Sequence, residues 1–224
     1  MDDGARSAAE TRRLLAALNE NGVTHLALTP HYYPSEESRE RFLARRARAV
    51  EELLVLPEAK KIHFTVGAEV YLAGTLFNSE EFLPLCYSGT KCMLVEPEYT
   101  TTFTETTRRR IFRLISDYGI TPVIAHIDRY PFLYRNQKLL QELRREGCLF
   151  QVNLNSLDSF FKRKVICRLF REGLVDFLGE DVHHKVLSGK DREKIIRRLS
   201  ACEPCLISTV NDRAQELIFS GAEA

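Results

Sequence analysis

The sequence lacks several features that would assign it to a familiar class of protein. No apolar run approaches the roughly 20 residues that a membrane-spanning helix needs. Residues 1–13 have no apolar core of the kind found in a secretory signal. The formal net charge is only +1, so bulk electrostatics indicate neither a nucleic acid nor an anionic membrane as a partner. We therefore expect a cytoplasmic protein.

Motifs of several common enzyme mechanisms are also missing. The chain has no Gly-x-Gly-x-x-Gly or Walker-type Gly-Lys-Ser/Thr phosphate loop. It has no Gly-x-Ser-x-Gly nucleophile elbow. No cysteine lies in a Cys-x5-Arg loop, so the sequence does not support a thiol-based phosphatase mechanism.

The cysteines are scattered without the spacing of a disulfide framework. Several lie in apolar strand or helix patterns, so we expect buried, reduced thiols, which again are typical of the cytoplasm. Cys202 and Cys205 form a lone C-x-x-C pair, which we interpret as a coincidence before a terminal strand; a redox or metal-binding pair is the alternative. The cysteines are Cys86, Cys92, Cys148, Cys167, Cys202 and Cys205.

Strand and helix patterns alternate along the whole chain. Short runs of β-branched and apolar residues predict strands, and the longer amphipathic runs between them predict helices. This order favours parallel strands with helices packed outside, and seven strands suit a barrel better than an open sheet. No repeat or linker divides the chain, so we predict one domain over residues 1–224. The predicted strands are 23–29, 62–66, 93–95, 123–125, 149–152, 174–178 and 205–207.

Polar side chains follow these strands at positions that favour a metal site. The strands of a β/α barrel end at one mouth, so residues just after them converge. Imidazoles and carboxylates together suit Mn, Fe or Zn better than Ca or Mg. The residues concerned are His31, Glu69, Glu96, His126, Asp181 and His183.

Two short blocks carry most of this prediction. His126 follows a strand, and Arg129 can face the same mouth and bind a phosphate through its planar guanidinium. The alternative for that block is a surface turn with a structural arginine. Asp181 and His183 lie two residues apart, so they point the same way in extended backbone. The alternative there is a helix-capping loop.

Other polar residues receive a structural interpretation. His25 and His63 lie in or at the start of strands, where packing or surface histidines are more common than ligands. His184 points away from its neighbour, and we assign it no role. The charged run 39–48 is interpreted as a solvated helix face, with a basic binding patch as the alternative.

Taken in order, these blocks resemble the polymerase and histidinol phosphatase (PHP) superfamily, and most closely its bacterial capsule-type tyrosine phosphatases. The resemblance covers nearly the whole chain, and the order and spacing of the short motifs are specific when taken together. The matching pieces are Asp2-Asp3-Gly4-Ala5-Arg6-Ser7, Thr29-Pro30-His31, Gly67-Ala68-Glu69-Val70, Val95-Glu96, Val123-Ile124-Ala125-His126 with Asp128-Arg129-Tyr130, and Asp181-Val182-His183.

The resemblance implies a fold and a function. The fold is a distorted seven-stranded β/α barrel with two or three metal ions at its mouth, commonly Mn²⁺, although Fe or Zn would also suit the site. The function is removal of phosphate from tyrosines of bacterial tyrosine kinases that control exopolysaccharide and capsule export, by a metal-activated water. No nucleic-acid partner is implied, and a homo-oligomer is left open.

The resemblance also implies a role for each site residue. Arg129 resembles the arginine that grips the phosphate, and Arg129, His126 and Asp181 are the expected catalytic residues. The implied metal ligands are Asp181 for the first metal, Glu96 and His126 for the second, His31, His183 and Asp3 for the third, and Glu69 as the bridging carboxylate.

One departure from the family pattern concerns the start of the chain. The family carries a His-x-His on a first strand just before the Asp-Asp-Gly segment, whereas only Met1 precedes Asp2 here. Without that pair the first metal would keep only Asp181 and Glu69. We also expect the first strand to be absent from this chain, which would leave a gap in the barrel and expose backbone edges. We therefore expect that the gene start was assigned at an internal valine codon, and that the chain as written is poorly soluble and weakly active.

A second departure concerns residues beside the site and includes one additional carboxylate. Ile127 and Asp128 stand where the family usually has Pro-Glu, and Glu180 replaces a small residue before Asp181. An extra carboxylate next to a metal cluster is expected to weaken phosphate binding or alter the metal preference.

Two other functions compete with the tyrosine phosphatase. One is a small-metabolite phosphatase of the histidinol-phosphate type in the same superfamily. The other is a catalytically degenerate relative that binds a kinase or polysaccharide machinery. Turnover of an aryl phosphate with added Mn²⁺ separates enzyme from degenerate relative, and a comparison of phosphotyrosine peptide with histidinol phosphate separates the two enzymes.

Overall fold

The computed structural model describes residues 3–78 and 81–221 of the chain. Within these ranges no helix is both long and apolar enough to cross a membrane. Met1 and Asp2 lie outside the described residues, and Asp2 is the first residue of the Asp-Asp-Gly segment. Asp3 is therefore the first residue of that segment whose side chain can be placed.

Parallel strands form the centre of the molecule. The described residues contain β1 (His25–Leu28), β2 (His31–Tyr32), β3 (His63–Val66), β4 (Glu69–Tyr71), β5 (Cys92–Glu96), β6 (Thr121–Ile124), β7 (Leu149–Asn153) and β8 (Phe177–Gly179). Strand β1 pairs with β3, and the others pair in the order β2-β4-β5-β6-β7-β8. Every pairing is parallel, as the alternation of strands and helices predicts.

The two sets of strands form one continuous surface. Pro30, between β1 and β2, has no N–H to offer to a ladder. Hydrogen bonds still cross the break: the N–H of Gly67 donates to the Leu28 carbonyl at 2.8 Å, and the N–H of Glu69 donates to the Pro30 carbonyl at 3.0 Å. Strands β1 and β2 thus occupy one position in the sheet, and β3 and β4 occupy the next.

Helices cover the outer face of the sheet. They are α1 (Ala8–Glu20), α2 (Arg39–Leu54), α3 (Glu105–Ser116), α4 (Pro131–Tyr134), α5 (Gln137–Glu146), α6 (Phe160–Arg171), α7 (Gly189–Cys202) and α8 (Leu206–Ala214), the last continued by a π-helical turn, Gln215–Phe219. The side chains of Ser7, Ser38 and Thr104 cap three helix starts by accepting a backbone N–H. Gly147, with φ of 108°, ends α5 in the left-handed conformation that glycine adopts most easily.

The strands bury side chains on both faces of the sheet. In β5, Met93 and Val95 belong to the larger apolar core beneath the helices. Cys92 and Leu94, which alternate with them, join Phe177 in a smaller core inside the curl. Both faces are therefore apolar, as expected of a parallel sheet covered by helices.

The prediction of a strand over residues 205–207 is wrong. Leu206 begins α8, so this short apolar run is the first turn of a helix. Leu206 and Val210 are the buried residues of that helix. These two residues are spaced by one helical turn, but Val210 lies outside the three-residue run 205–207. A run that short cannot distinguish a strand from a helix.

The observed architecture is a curled parallel sheet with six strand positions, whose edges are β1 and β8. A cavity of about 1040 Å³ lies inside the curl and is lined by residues of β1, β8 and α1. The described residues thus form an open half-barrel of parallel strands and helices, which confirms the predicted α/β fold; the seven-stranded barrel with a missing first strand stays a prediction. The carboxyl edge of the sheet still gathers the residues that follow the strands.

Candidate metal centre

Four neighbouring strand positions bring two imidazoles and two carboxylates together at the carboxyl edge of the sheet. His31 in β2 lies beside Glu69 in β4 in the register of the sheet. Glu96 is the last residue of β5, and His126 follows the end of β6. Since β4, β5 and β6 are consecutive neighbours in the sheet, these four predicted residues converge.

The distances within this group suit the binding of a cation. One ligand atom each from His31, Glu69 and Glu96 lie within 4.8 Å of one another. His126 Nε2 lies 2.8 Å from Glu69 Oε1 and 3.5 Å from Glu96 Oε1. The side chains of His126 and Glu69 are only 2% and 7% exposed, and charged groups with so little access to water are costly unless they are paired or bind a metal.

A second group shares His31 and lies nearer to solvent. One ligand atom each from Asp3, His31 and His183 lie within 4.8 Å of one another. Asp3 Oδ1 is 3.5 Å from His31 Nε2, and Asp3 Oδ2 is 3.3 Å from His183 Nε2. The structure therefore brings together the three residues that the family resemblance implies as ligands of the third metal.

The electrostatics of the deeper group also fit a cation. Burial, and next to it the neighbouring Glu69 carboxylate, raises the pKa of Glu96. Burial, followed by Glu96, raises the pKa of Tyr33 to about 12. The Tyr33 ring stacks on His31 with centroids 5.6 Å apart. Tyr33 therefore lies close enough to the cluster for the negative charge of Glu96 to affect its pKa. A divalent cation held by these side chains would offset the repulsion between the carboxylates.

Backbone strain is concentrated at two of the predicted residues. Within residues 3–78 and 81–221, the non-glycine residues with positive φ are His126, at 30°, and Asp181, at 52°. Such conformations are costly for residues with a Cβ, and they are found preferentially at functional sites. This strain supports a functional role for both residues.

Asp181 lies at the edge of the cluster and not inside either ligand group. Its carboxylate forms an ion pair with Arg129 and accepts a hydrogen bond from Asn153 Nδ2 at 2.9 Å. His183 Nδ1 is 3.7 Å from Asp181 Oδ1. Arg129 thus reaches the mouth, as predicted, but its guanidinium binds the carboxylate that the resemblance implies for the first metal.

Comparison with known proteins shows which family this chain belongs to. A family model described as "Capsular polysaccharide synthesis, CpsB/CapC" matches residues 1–220. The chain belongs to this family. It is 32% identical over 201 residues to the tyrosine-protein phosphatase CpsB of Streptococcus pneumoniae, covering 84% of this chain and 77% of that protein. It is 26% identical over 196 residues to the tyrosine-protein phosphatase YwqE of Bacillus subtilis (strain 168), covering 82% and 73%.

A solved structure shows the same fold. It is described as YwqE from Bacillus subtilis and CpsB from Streptococcus pneumoniae, "unique metal-dependent tyrosine phosphatases". The TM-score is 0.74 at 22% identity, with 99% of this chain and 90% of the other chain covered. The curled parallel sheet is therefore the fold of the CpsB/CapC family.

Sequence analysis of this CpsB/CapC chain did not select Gln151 and Asn153, which form hydrogen bonds with the two residues of positive φ, His126 and Asp181. Gln151 Oε1 accepts a hydrogen bond from the backbone N–H of His126, and Gln151 Nε2 donates to Asn153 Oδ1 at 2.8 Å. Asn153 in turn donates to Asp181. Asn153 is the last residue of β7, so the strand-end rule that selected Glu96 would also have selected it.

Asp128 and Glu180, the carboxylates that depart from the family pattern, both have partners outside the two ligand groups. Asp128 is buried, and its Oδ1 accepts a hydrogen bond from the backbone N–H of Asn153 at 2.8 Å. Glu180 Oε1 lies 2.6 Å from Arg192 Nε. Both therefore have structural partners, and the expected effect of Glu180 on phosphate binding or metal preference stays a prediction.

The remaining histidines lie outside the metal centre. The rings of His25 and His63 stack with centroids 5.0 Å apart. They are the first residues of β1 and β3, so they lie at the amino edge of the sheet and not at the carboxyl edge that carries the metal centre. His184 Nδ1 lies 3.1 Å from Glu10 Oε1. These positions agree with the structural interpretation of all three residues.

The cysteines have no place in the candidate chemistry. The thiols of Cys86, Cys92, Cys148 and Cys167 are free and buried, and those of Cys202 and Cys205 are free and exposed. Burial raises the pKa of Cys86 and Cys148 to about 12, so these thiols remain protonated and are poor nucleophiles near neutral pH.

Proposed function

We propose that this CpsB/CapC chain is a metal-dependent protein-tyrosine phosphatase of a single domain, residues 1–224. The observation that carries the proposal is the convergence of His31, Glu69, Glu96 and His126: His126 Nε2 lies 2.8 Å from Glu69 and 3.5 Å from Glu96, and ligand atoms of the other three residues lie within 4.8 Å of one another. The names of the relatives support the reaction. We further propose that the substrates are phosphotyrosines of bacterial tyrosine kinases in capsule synthesis, that the compartment is the cytoplasm, and that the curled sheet corresponds to the PHP barrel.

The metals that we propose are Mn²⁺ ions, in two or three positions. The deeper position would be held by Glu96 and His126 with Glu69, and the outer one by Asp3, His31 and His183. Asp181 would contribute to a further position. Bound metal would supply an activated water and charge compensation for the phosphoryl group. Fe or Zn would suit the same imidazole and carboxylate ligands.

The protein's own residues would bind and orient the phosphate. Arg129 extends into the mouth and pairs with Asp181 there, and its planar guanidinium matches the geometry of phosphate oxygens. Since phosphate and Asp181 would use the same donors, substrate binding would exchange one anionic partner for another. Asn153 would then keep the Asp181 carboxylate in place through its hydrogen bond.

The experiment that tests this function measures turnover and metal binding on the same protein. We expect hydrolysis of a phosphotyrosine peptide that requires Mn²⁺, stops with a chelator and resumes when Mn²⁺ is added back. Faster hydrolysis of histidinol phosphate would instead identify a metabolite phosphatase. A chain whose melting temperature rises with Mn²⁺, but which hydrolyses neither substrate, would be a degenerate binding protein.

Substitution of Arg129 should separate phosphate binding from metal binding. We expect Arg129→Ala to lower kcat/KM for the phosphotyrosine peptide by about 100-fold, while the Mn²⁺ affinity measured by calorimetry stays the same or rises. Arg129→Lys should recover only part of the loss, because an ammonium group cannot bind phosphate through a planar fork.

The matched control for Arg129 is Arg135→Ala. Arg135 is also an exposed arginine, and its guanidinium lies 5.4 Å from the centre of the Tyr134 ring. Its removal should leave kcat/KM unchanged. Equal losses in both variants, or none in Arg129→Ala, would argue against the proposed role of Arg129.

A further inference from the structure

The first turn of α6 presents two adjacent phenylalanines to solvent. Phe160 is 63% exposed and Phe161 is 80% exposed. Their rings meet edge to face with centroids 5.7 Å apart. Single exposed apolar residues are ordinary, but a contiguous exposed aromatic surface is typical of an interaction site.

The polypeptide below this aromatic pair is well fixed. Arg163 is buried, and its Nη1 donates to the carbonyl oxygens of Leu157 at 2.8 Å and Asp158 at 3.1 Å. Its guanidinium carbon lies 5.8 Å from the centre of the Phe160 ring. The two rings are thus held on a defined turn, and their exposure does not come from a loosely attached loop.

The surroundings of the pair are basic. The sequence of α6, FFKRKVICRLFR, contains lysines and arginines but no acidic residue. Lys164 and Arg168 follow Phe160 by one and two helical turns, so they extend the same exposed face. The charge of the nearby Asp158 is offset by Lys194 at 3.0 Å and Arg198 at 2.5 Å. From Phe160 to Arg168 this face therefore carries cationic side chains and no acidic one, although the whole chain has a net charge of only +1; the exposed Glu172 follows at the end of the helix.

We propose that the face formed by Phe160, Phe161, Lys164 and Arg168, here called the α6 face, binds the surface of an anionic lipid bilayer. The phenyl rings enter the boundary between headgroups and acyl chains, and the cationic side chains contact anionic headgroups. Projecting rings bordered by cations match this boundary, which offers an apolar layer below a negative surface. No membrane-spanning segment is needed for this peripheral binding.

The position of the α6 face relates it to the metal centre. β7 ends at Asn153, which is hydrogen-bonded to Asp181, and only the short helical segment Leu154–Asp158 and Ser159 lie between β7 and α6. The first turn of α6 is therefore at the carboxyl edge of the sheet, the same edge that carries the metal ligands. Binding through the α6 face would hold the mouth of the half-barrel close to the bilayer.

The test is flotation of the full-length protein with vesicles of phosphatidylcholine, with or without phosphatidylglycerol. We expect binding only to the vesicles with phosphatidylglycerol, and weaker binding as salt rises. The double substitution Phe160→Ser/Phe161→Ser should lower the partition coefficient by at least about tenfold, and Lys164→Glu/Arg168→Glu should lower it by a similar factor. Since all four side chains are exposed, melting temperatures should stay close to that of the unmodified chain.

Matched controls come from exposed residues elsewhere. Leu54→Ser/Val55→Ser removes an exposed apolar pair at the end of α2, and Lys60→Glu/Lys61→Glu reverses two exposed lysines. Both should bind vesicles like the unmodified chain. The proposal is overturned if the α6-face variants bind as well as these controls, or if the protein binds neither vesicle type. It is also overturned if light scattering shows that the α6-face variants lose self-association instead, which would make a second copy the occupant.

Discussion

Replacement of His126 by alanine is expected to lower Mn²⁺-dependent turnover by more than about 100-fold, since even the loss of a residue that only supports a metal ligand costs about 10- to 100-fold. The His126 ring is buried at the meeting point of the two carboxylates, 2.8 Å from Glu69 and 3.5 Å from Glu96. Its removal would leave those carboxylates with His31 as the one imidazole that the described residues place beside them. The measurement is kcat/KM for a phosphotyrosine peptide, together with the number of Mn²⁺ ions bound by calorimetry.

The conformation of His126 provides a second readout that does not depend on activity. With φ of 30°, the residue is in the left-handed region, where a residue with a Cβ is strained by about 1 kcal/mol or more. Glycine relieves that strain. We therefore expect the metal-free His126→Gly protein to be more stable than the metal-free His126→Ala protein by about 1 kcal/mol, although both are inactive.

His184→Ala is the matched control for this substitution. His184 is an exposed histidine that pairs with Glu10 in α1 and lies one position after the predicted ligand His183. Its removal should leave both turnover and Mn²⁺ binding unchanged. If His126→Ala retained the Mn²⁺ stoichiometry and turnover of the His184→Ala protein, the proposed deeper metal position would be wrong.

The convergence of the cluster could be predicted because it depends on a regular property of parallel sheets. Residues that follow successive parallel strands meet at one edge, so His31, Glu69, Glu96 and His126 could be grouped without coordinates. The same rule would have added Asn153, the last residue of β7. The prediction omits Asn153 because an amide is a weaker metal ligand than a carboxylate or an imidazole.

Other features of the site could not be predicted from the order of residues. The ion pair between Arg129 and Asp181 joins the loops that follow β6 and β8, two strands separated by β7 in the sheet, and the order of residues does not show that these two side chains pair with each other. The positive φ angles of His126 and Asp181 have no sequence signal, since neither residue is glycine. The misassigned strand at residues 205–207 has a different cause: its apolar residues are too few to reveal a helical period.

Asp176→Ala is expected to lower the free energy of unfolding by about 3–5 kcal/mol, the typical cost of removing one partner of a buried ion pair. The carboxylate is fully buried. It accepts a hydrogen bond from the backbone N–H of Phe150 in β7 at 2.7 Å, and it forms ion pairs with Arg144 of α5 and, at 2.9 Å, with Arg213 of α8. Urea denaturation of the metal-free protein measures the loss.

The same substitution should also affect the metal centre, because Asp176 immediately precedes β8, which leads to Asp181. Without the Asp176 carboxylate, the segment that leads into β8 loses its side-chain links to Phe150 and to two helices, and keeps the backbone hydrogen bond from the N–H of residue 176 to the Phe150 carbonyl at 2.9 Å. Asp176→Asn, which keeps the shape and one acceptor for the Phe150 N–H, should recover part of the stability. The control is Asp158→Ala, which removes an exposed carboxylate that also pairs with two cations, Lys194 and Arg198. An equal loss of stability in Asp158→Ala and Asp176→Ala would show that burial does not set the strength of this network.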